Sequence, residues 1–168
     1  MWVPEGISGG FRDMLSLTRK TDYALIALTH LAAEEDRLSS AREISDLYRI
    51  PLPVLTNILK TLTRAGMVES VRGAKGGYRL AEGPDAITLA SLVLAIEGPV
   101  RLVACSGEDP EGKAAPCELM AWCPVRWPAQ GVHDKLQRFL DDVTLAEIVE
   151  GCRPAMGAKA EPCPGKSA

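Results

Sequence analysis

The sequence predicts a mainly α-helical protein with one small β-hairpin. Three observations carry that prediction. Apolar residues recur at helical spacing in successive stretches, each with a start or stop signal. Two short β-like runs, Met67–Val71 and Tyr78–Leu80, flank a glycine-rich loop. A segment at 104–127, "ACSGEDPEGKAAPCELMAWCPVRW", then breaks the helical pattern and holds three of the five cysteines. The 168 residues and 46% apolar content are enough to bury one sizeable core and a smaller lobe.

The elements follow in order. Residues 1–13, "MWVPEGISGGFRD", lack a basic stretch followed by an apolar one, so they read as a disordered leader rather than a secretory signal. Residues 17–33 form a first helix, with Ala24, Leu28, Leu31 and Ala32 on one face and Leu25 beside them. Its His30 reads as a cation favoured by the helix C-terminus. In "SSAREISDLY" Ser40 and Glu43 have capping-box spacing, and Ile44 and Leu47 supply an apolar stripe to a short second helix. "RIPLP" makes a tight turn. A third helix runs from about Pro53 to Ala65, burying Leu55, Ile58, Leu59 and Leu62, and Gly66 stands at its C′ position.

The opposite face of the third helix carries Val54, Thr56, Asn57, Lys60, Thr61 and Arg64. Short hydrogen-bonding side chains with two cations and no acid suit a DNA major groove, where Asn and Thr read base edges and Lys and Arg meet phosphates. Arg72 and Lys75 sit at the hairpin tip. Three helices followed by a basic-tipped hairpin make a winged helix-turn-helix, in which a wing arginine can enter a narrow minor groove. Charge agrees. From Arg49 to Arg79 six cations face one acid, a balance of +5, inside a chain of net charge −3. From Ala81 onward thirteen acids outweigh eight bases. A basic segment within an acidic protein marks a local polyanion site.

Beyond the hairpin, "ITLASLVLAIEG" is a fourth helix, capped near Thr88 and stopped at Gly98. After the cysteine segment, 128–143 resumes helical spacing with Val132, Leu136, Phe139, Leu140 and Val143 in register. This amphipathic helix is expected to pair with its twin in a homodimer, since dimeric helix-turn-helix proteins need two half-sites at a fixed separation. Thr144 and Glu147 open a last short helix through Val149, and 151–168 reads as a disordered tail. The expected organisation is therefore 1–13 leader, 14–83 winged-helix DNA-binding domain, 84–150 helix, cysteine loop and dimerisation helix, and 151–168 tail. No apolar run is long enough to cross a membrane, and a cytoplasmic location is expected.

Reduced thiols in that compartment favour metal or redox work over structural disulfides. On residue type alone the three cysteines are open to use as zinc ligands, redox thiols or iron–sulfur ligands, and zinc is the use with a characteristic spacing. The gaps here are eleven and five residues rather than paired short spacings, and His133 would have to serve as a distant fourth ligand. His133 reads instead as exposed or dimer-facing. Trp122 and Trp127 read as shields for the segment, and Cys152 and Cys163 as incidental tail thiols. No nucleotide-binding, Ser-His-Asp or paired-carboxylate motif calls for catalysis, so the chain is not expected to be an enzyme. An iron–sulfur electron carrier would leave the basic segment unexplained.

These residues resemble the family of winged-helix iron–sulfur regulators that includes IscR, NsrR and RirA. The matching pieces are "LTRKTDYALIALTHLA", "AREISDLYRIPLPVLTNILKTLTRAGMVESVRGAKGGYRLA", "ITLASLVLAIEG", the three-cysteine loop and "VTLAEIV", together covering about 15–150. The cysteine context looks closest to regulators of SUF-type cluster assembly. The resemblance implies a dimeric, sequence-specific regulator that binds double-stranded operator DNA, with affinity controlled by an iron–sulfur cluster of two or four irons. That cluster reports iron, redox or cluster status. It implies Cys105, Cys117 and Cys123 as ligands and Arg19, Lys20, Val54, Thr56, Asn57, Lys60, Arg64, Arg72 and Lys75 as the DNA-facing set. The histidine that completes the site in the IscR branch is Arg126 here. The aspartate that can ligate from the partner subunit in the NsrR branch maps onto Asp22, which also reads simply as a first-turn acid. Thr56 stands where IscR has the glutamate that tunes operator choice, so that preference does not carry over. A thiol- or zinc-dependent redox regulator with the same DNA mode is the alternative.

Overall fold

The computed structural model describes residues 17–34, 37–73, 75–103, 117 and 122–156. The predicted leader at 1–13, Cys105 and Cys163 lie outside them.

Helix α1 (Arg19–Ala33) begins where the Thr18 hydroxyl oxygen accepts from the Lys20 N–H. It buries Ala24, Leu28, Leu31 and Ala32, the predicted face, and Ala27 with them. Helix α2 (Ala41–Tyr48) is capped by Ser40, whose hydroxyl accepts from the Glu43 N–H at 3.1 Å. The Glu43 carboxylate instead accepts from the Arg37 guanidinium at 2.6 Å, which ties the α1–α2 connection to α2. Arg49 ends α2 in the left-handed region, φ 54°, and reverses the chain. The Ser45 hydroxyl donates to the Ile50 carbonyl at 2.7 Å across this turn. Helix α3 (Leu52–Arg64) starts just before the predicted Pro53 and buries Leu55, Ile58, Leu59 and Leu62. Its end is a Schellman motif. The Gly66 N–H meets the Thr63 carbonyl, the Met67 N–H meets the Leu62 carbonyl, and Gly66 has φ +81°.

Strands β1 (Val68–Val71) and β2 (Gly77–Leu80) form the antiparallel wing, in register from Val68↔Leu80 to Val71↔Gly77. A third piece is added by Ser39, which exchanges two backbone hydrogen bonds with Tyr78 at 3.0 and 2.9 Å. The wing is thereby fastened to the segment between α1 and α2. Gly77 permits the approach, since a Cβ there would lie 2.8 Å from the Ser39 carbonyl oxygen. His30 supports the same joint. Its Nε2 lies 3.1 Å from the Ser39 hydroxyl and its Nδ1 lies 3.3 Å from the Tyr48 hydroxyl. Burial pushes its pKa below the usual histidine value, against the opposing pull of Glu34 and Glu43. The predicted role as a charged dipole partner is therefore corrected to a neutral, buried strut.

Helix α4 (Leu89–Glu97) opens on a reciprocal capping box between Thr88 and Ser91. Helix α5 (Arg126–Asp142) begins two residues before its predicted start, and α6 (Leu145–Met156) runs past both Val149 and Gly151. The starts of α4 and α6 are joined by a bridge between Thr88 and Thr144, with bonds of 2.8 Å from Leu89 N–H to Val143 and from Leu145 N–H to Ile87. This turns α6 back onto α1. Leu28, Ile44, Leu55, Leu59, Leu62, Leu92 and Leu145 share one hydrophobic core, so α4 and α6 complete the core that the first three helices begin. Among the described residues no helix is long and apolar enough to cross a membrane.

Candidate nucleic-acid interface and cysteine segment

Helix α3 turns an exposed stripe outward: Pro53, Asn57, Lys60 and Arg64, at helical spacing. Val54 and Thr56 are half-buried flanks rather than members of the stripe. The threonines are less free than their side chains suggest. Thr56, Thr61 and Thr63 donate their hydroxyls to the carbonyls of Leu52, Asn57 and Leu59, four residues back, at 2.8, 3.1 and 2.8 Å. They retain only acceptor capacity toward a ligand. Asn57 is exposed, and no described residue hydrogen-bonds its side-chain amide. It is the neutral group on this stripe with both a donor and an acceptor to offer a base edge.

Arg72 and Lys75 are exposed at the wing tip as predicted. Gly76 shapes the tip, since a Cβ there would fall 2.2 Å from the Val71 carbonyl oxygen. Arg79 leaves the free set: Glu69 accepts from its Nε at 2.9 Å and its Nη2 at 2.8 Å. No ion pair among the described residues engages Lys60, Arg64, Arg72 or Lys75. A cleft of about 310 Å³ lined by Lys60, Thr63, Arg64, Ser70 and Tyr78 separates α3 from the wing. Arg19 and Lys20 are exposed at the start of α1. Lys20 lines a second cleft, about 240 Å³, with Val54, Asn57, Ile58, Thr61 and Ile96. The structure thus brings Lys20 of α1 together with Val54 and Asn57 of α3, and gathers Lys60 and Arg64 with Ser70 and Tyr78 of the wing around the first cleft; Arg19, Arg72 and Lys75 line neither cleft.

Cys117 and Cys123 are half-exposed free thiols. Thiols in that state suit thiolate ligation of iron, so the donor chemistry fits a cluster. Among the described residues no group of three His, Cys, Asp or Glu side chains is assembled to hold a metal, and Cys105 is outside that set. Asp22 is exposed in the first turn of α1.

Three expectations for the surrounding segment are corrected. His133 is buried, 8% exposed, and its Nδ1 has no hydrogen-bond partner among the described residues. It faces inward because α5 packs on α4 through the side that carries His133 and Leu140. Trp122 and Trp127 are 80% and 75% exposed rather than packed, and Arg126 stacks over Trp127 at 5.0 Å. The predicted single apolar register of α5 is two faces. Leu140 points inward, whereas Val125, Val132 and Phe139 form an exposed row with half-buried Ala129, Leu136 and Val143 beside it. Spacings that alternate four and three residues make this a heptad seam.

A short helix, a tight turn, a polar-faced helix and a basic wing define a protein of the winged helix-turn-helix class. Residues 17–151 match the model of the Rrf2 family, described as an iron-dependent transcriptional regulator. The chain belongs to that family. Among solved structures it is similar to CymR of B. subtilis, the global cysteine regulator of that organism, at 28% identity and TM-score 0.61, covering 82% of this chain and 98% of that one. T. potens IscR matches at 24% identity and TM-score 0.64, over 87% and 94% of the two chains. Staphylococcus aureus CymR matches at 24% identity and TM-score 0.59, over 79% and 97%.

Proposed function

We propose that this protein is a homodimeric operator-binding regulator whose DNA affinity is set by an iron–sulfur cluster on Cys105, Cys117 and Cys123, with Asp22 of the partner subunit at the fourth position. The observation that carries the reading is the pair of half-exposed free thiols, Cys117 and Cys123, lying just before a helix with an exposed heptad seam. A cluster there supplies a chemical state that iron supply, oxygen or nitric oxide alters. The chain's own residues do the rest. Arg19, Lys20, Lys60 and Arg64 meet phosphates, Asn57 reads a base edge with Val54 and Thr56 alongside, and Arg72 and Lys75 follow the adjacent minor groove. The Val125, Val132 and Phe139 row holds two protomers at half-site spacing. Regulation of iron or cluster-assembly genes fits this chemistry, in a cytoplasmic setting.

The similarity to CymR supports a second reading, in which the same thiols respond directly, without a metal, through oxidation or a small thiol. Anaerobic purification decides between the two. Brown protein containing iron and acid-labile sulfide is expected, and Cys105→Ala, Cys117→Ala and Cys123→Ala should each lose the visible absorbance. Colourless protein with a thiol-dependent change in operator affinity selects the second reading. Asp22→Ala should shorten cluster retention with the dimer intact, and unchanged retention removes Asp22 from the ligand set.

A further inference from the structure

Glu97 is the last residue of α4, and its carboxylate is clasped by the start of α1. One oxygen accepts from the Thr18 backbone N–H at 3.2 Å and the Thr21 hydroxyl at 2.6 Å, and also from the Thr18 hydroxyl. Thr21 is fully buried, so its hydroxyl is committed to this contact. The Thr18 hydroxyl, followed by that of Thr21, holds the Glu97 carboxyl below the usual carboxylate range. An anion here also complements the positive end of the α1 dipole.

Two functional parts meet at this clasp. On one side, the first turn of α1 carries Arg19 and Lys20, and Lys20 shares its cleft with Asn57 and Thr61 of α3 and Ile96 of α4. On the other, α4 stops at Gly98, φ +90°, and the chain continues toward Cys105, eight residues beyond Glu97 in sequence.

We infer that Glu97 is a positioning residue that couples the state of the cysteine segment to the DNA-facing end of α1. The inference rests on the sensing function proposed above. When the path of the chain after Gly98 changes, the end of α4 shifts. With the clasp closed, the first turn of α1 follows and moves Lys20 relative to Asn57. With the clasp open, α4 shifts alone and the DNA face does not respond. Glu97 and Thr18 are exposed, so the clasp holds through three donors converging on one carboxylate oxygen, with Thr21 its buried member, rather than through burial of the charge.

The test compares operator affinity of cluster-reconstituted protein with that of iron-chelated, reduced protein, for the wild type, Glu97→Ala, Glu97→Gln and Thr18→Val. Wild type should show two distinct affinities. Glu97→Ala should bring their ratio about 2- to 30-fold closer to 1, and Glu97→Gln, which keeps an acceptor oxygen, should restore part of it. Amide hydrogen exchange at Lys20–Asp22 should quicken in Glu97→Ala with or without cluster. A merely structural contact would lower both affinities alike and leave their ratio unchanged. A preserved ratio in Glu97→Ala overturns the coupling role alone. Equal affinities in the wild type refute the sensing function and the coupling role with it. If Glu97→Ala fails to fold, the ratio in Thr18→Val decides.

Discussion

Gly77→Ala tests the joint that anchors the wing. An added Cβ would meet the Ser39 carbonyl oxygen at 2.8 Å, the Ser39 carbonyl carbon at 3.0 Å and the Leu38 Cβ at 3.2 Å. The nearest atoms are backbone, so the strand and the 38–39 segment must separate by about half an ångström to reach ordinary contact. That separation loads the two bonds between Ser39 and Tyr78, at 2.9 and 3.0 Å. Ser39 is fully buried, so water does not replace them. Losing one such bond costs about 1 kcal/mol, and leaving buried groups unsatisfied costs about 1–3 kcal/mol each. Alanine returns about 0.4–1 kcal/mol by restricting the unfolded chain. The expected net loss is about 1–3 kcal/mol, a fall in Tm of roughly 3–10 °C for a chain of this size. Urea denaturation gives the first number. Operator binding across a salt series gives a second: if Arg72 and Lys75 each touch a phosphate, freeing the wing lowers the slope of log K against log salt by about 2. Gly83→Ala is the control, since no atom lies within 4 Å of a Cβ there. A Gly77→Ala protein within about 0.5 kcal/mol of wild type, with an unchanged salt slope, would refute the bridge as the wing's anchor.

Three further outcomes are expected. Asn57→Ala should relax preference for adenine at one operator position by about 1–3 kcal/mol, read by binding to operators substituted base by base; unchanged preference at every position removes Asn57 from the readout. Phe139 is 61% exposed on the α5 seam, and a two-fold dimer counts it twice, so Phe139→Ala should weaken dimerisation by about 2–4 kcal/mol, measured by sedimentation. For His30 the depressed folded-state pKa sets the sign. As pH falls through about 6.5 the unfolded chain binds a proton that the folded ring resists, so stability is lost downward from there until the folded pKa is passed. Wild type should therefore lose more stability than His30→Gln on acidification through this window, and parallel pH profiles would exclude His30 as the cause.

The buried faces of α1 and α3 and the caps are legible because they are local, whereas Leu47, expected on the apolar stripe of α2, is 60% exposed. Leu55, Ile58, Leu59 and Leu62 repeat at helical spacing, Thr88 and Gly98 bracket α4, and Gly66 marks the end of α3. The three-part wing was not legible, because the Ser39–Tyr78 bridge joins distant residues with no periodic signal between them. The Glu97 clasp escaped for the same reason. On α5 the spacing marks an apolar helix but not which side α4 covers, so periodicity alone distinguishes neither the inward side of His133 nor Leu140 from the row of Val132 and Phe139. The signal for two faces was present in the alternating four- and three-residue spacing of Val125, Ala129, Val132, Leu136, Phe139 and Val143. On α3, the residue types suggested a row of equal hydrogen-bonding partners. Back-bonding of Thr56, Thr61 and Thr63 shows that the helix itself claims most of those donors.

Arg49 separates two properties that usually travel together, solvent exposure and freedom to vary. Its side chain is exposed, yet its backbone sits at φ 54°, where glycine is at ease, asparagine and aspartate are tolerated, and β-branched residues are strained. In a saturation-mutagenesis map this surface position should behave like a core site, with isoleucine, valine and threonine depleted. The pivot between the first two elements of the DNA-reading unit is thus protected from drift by backbone geometry alone.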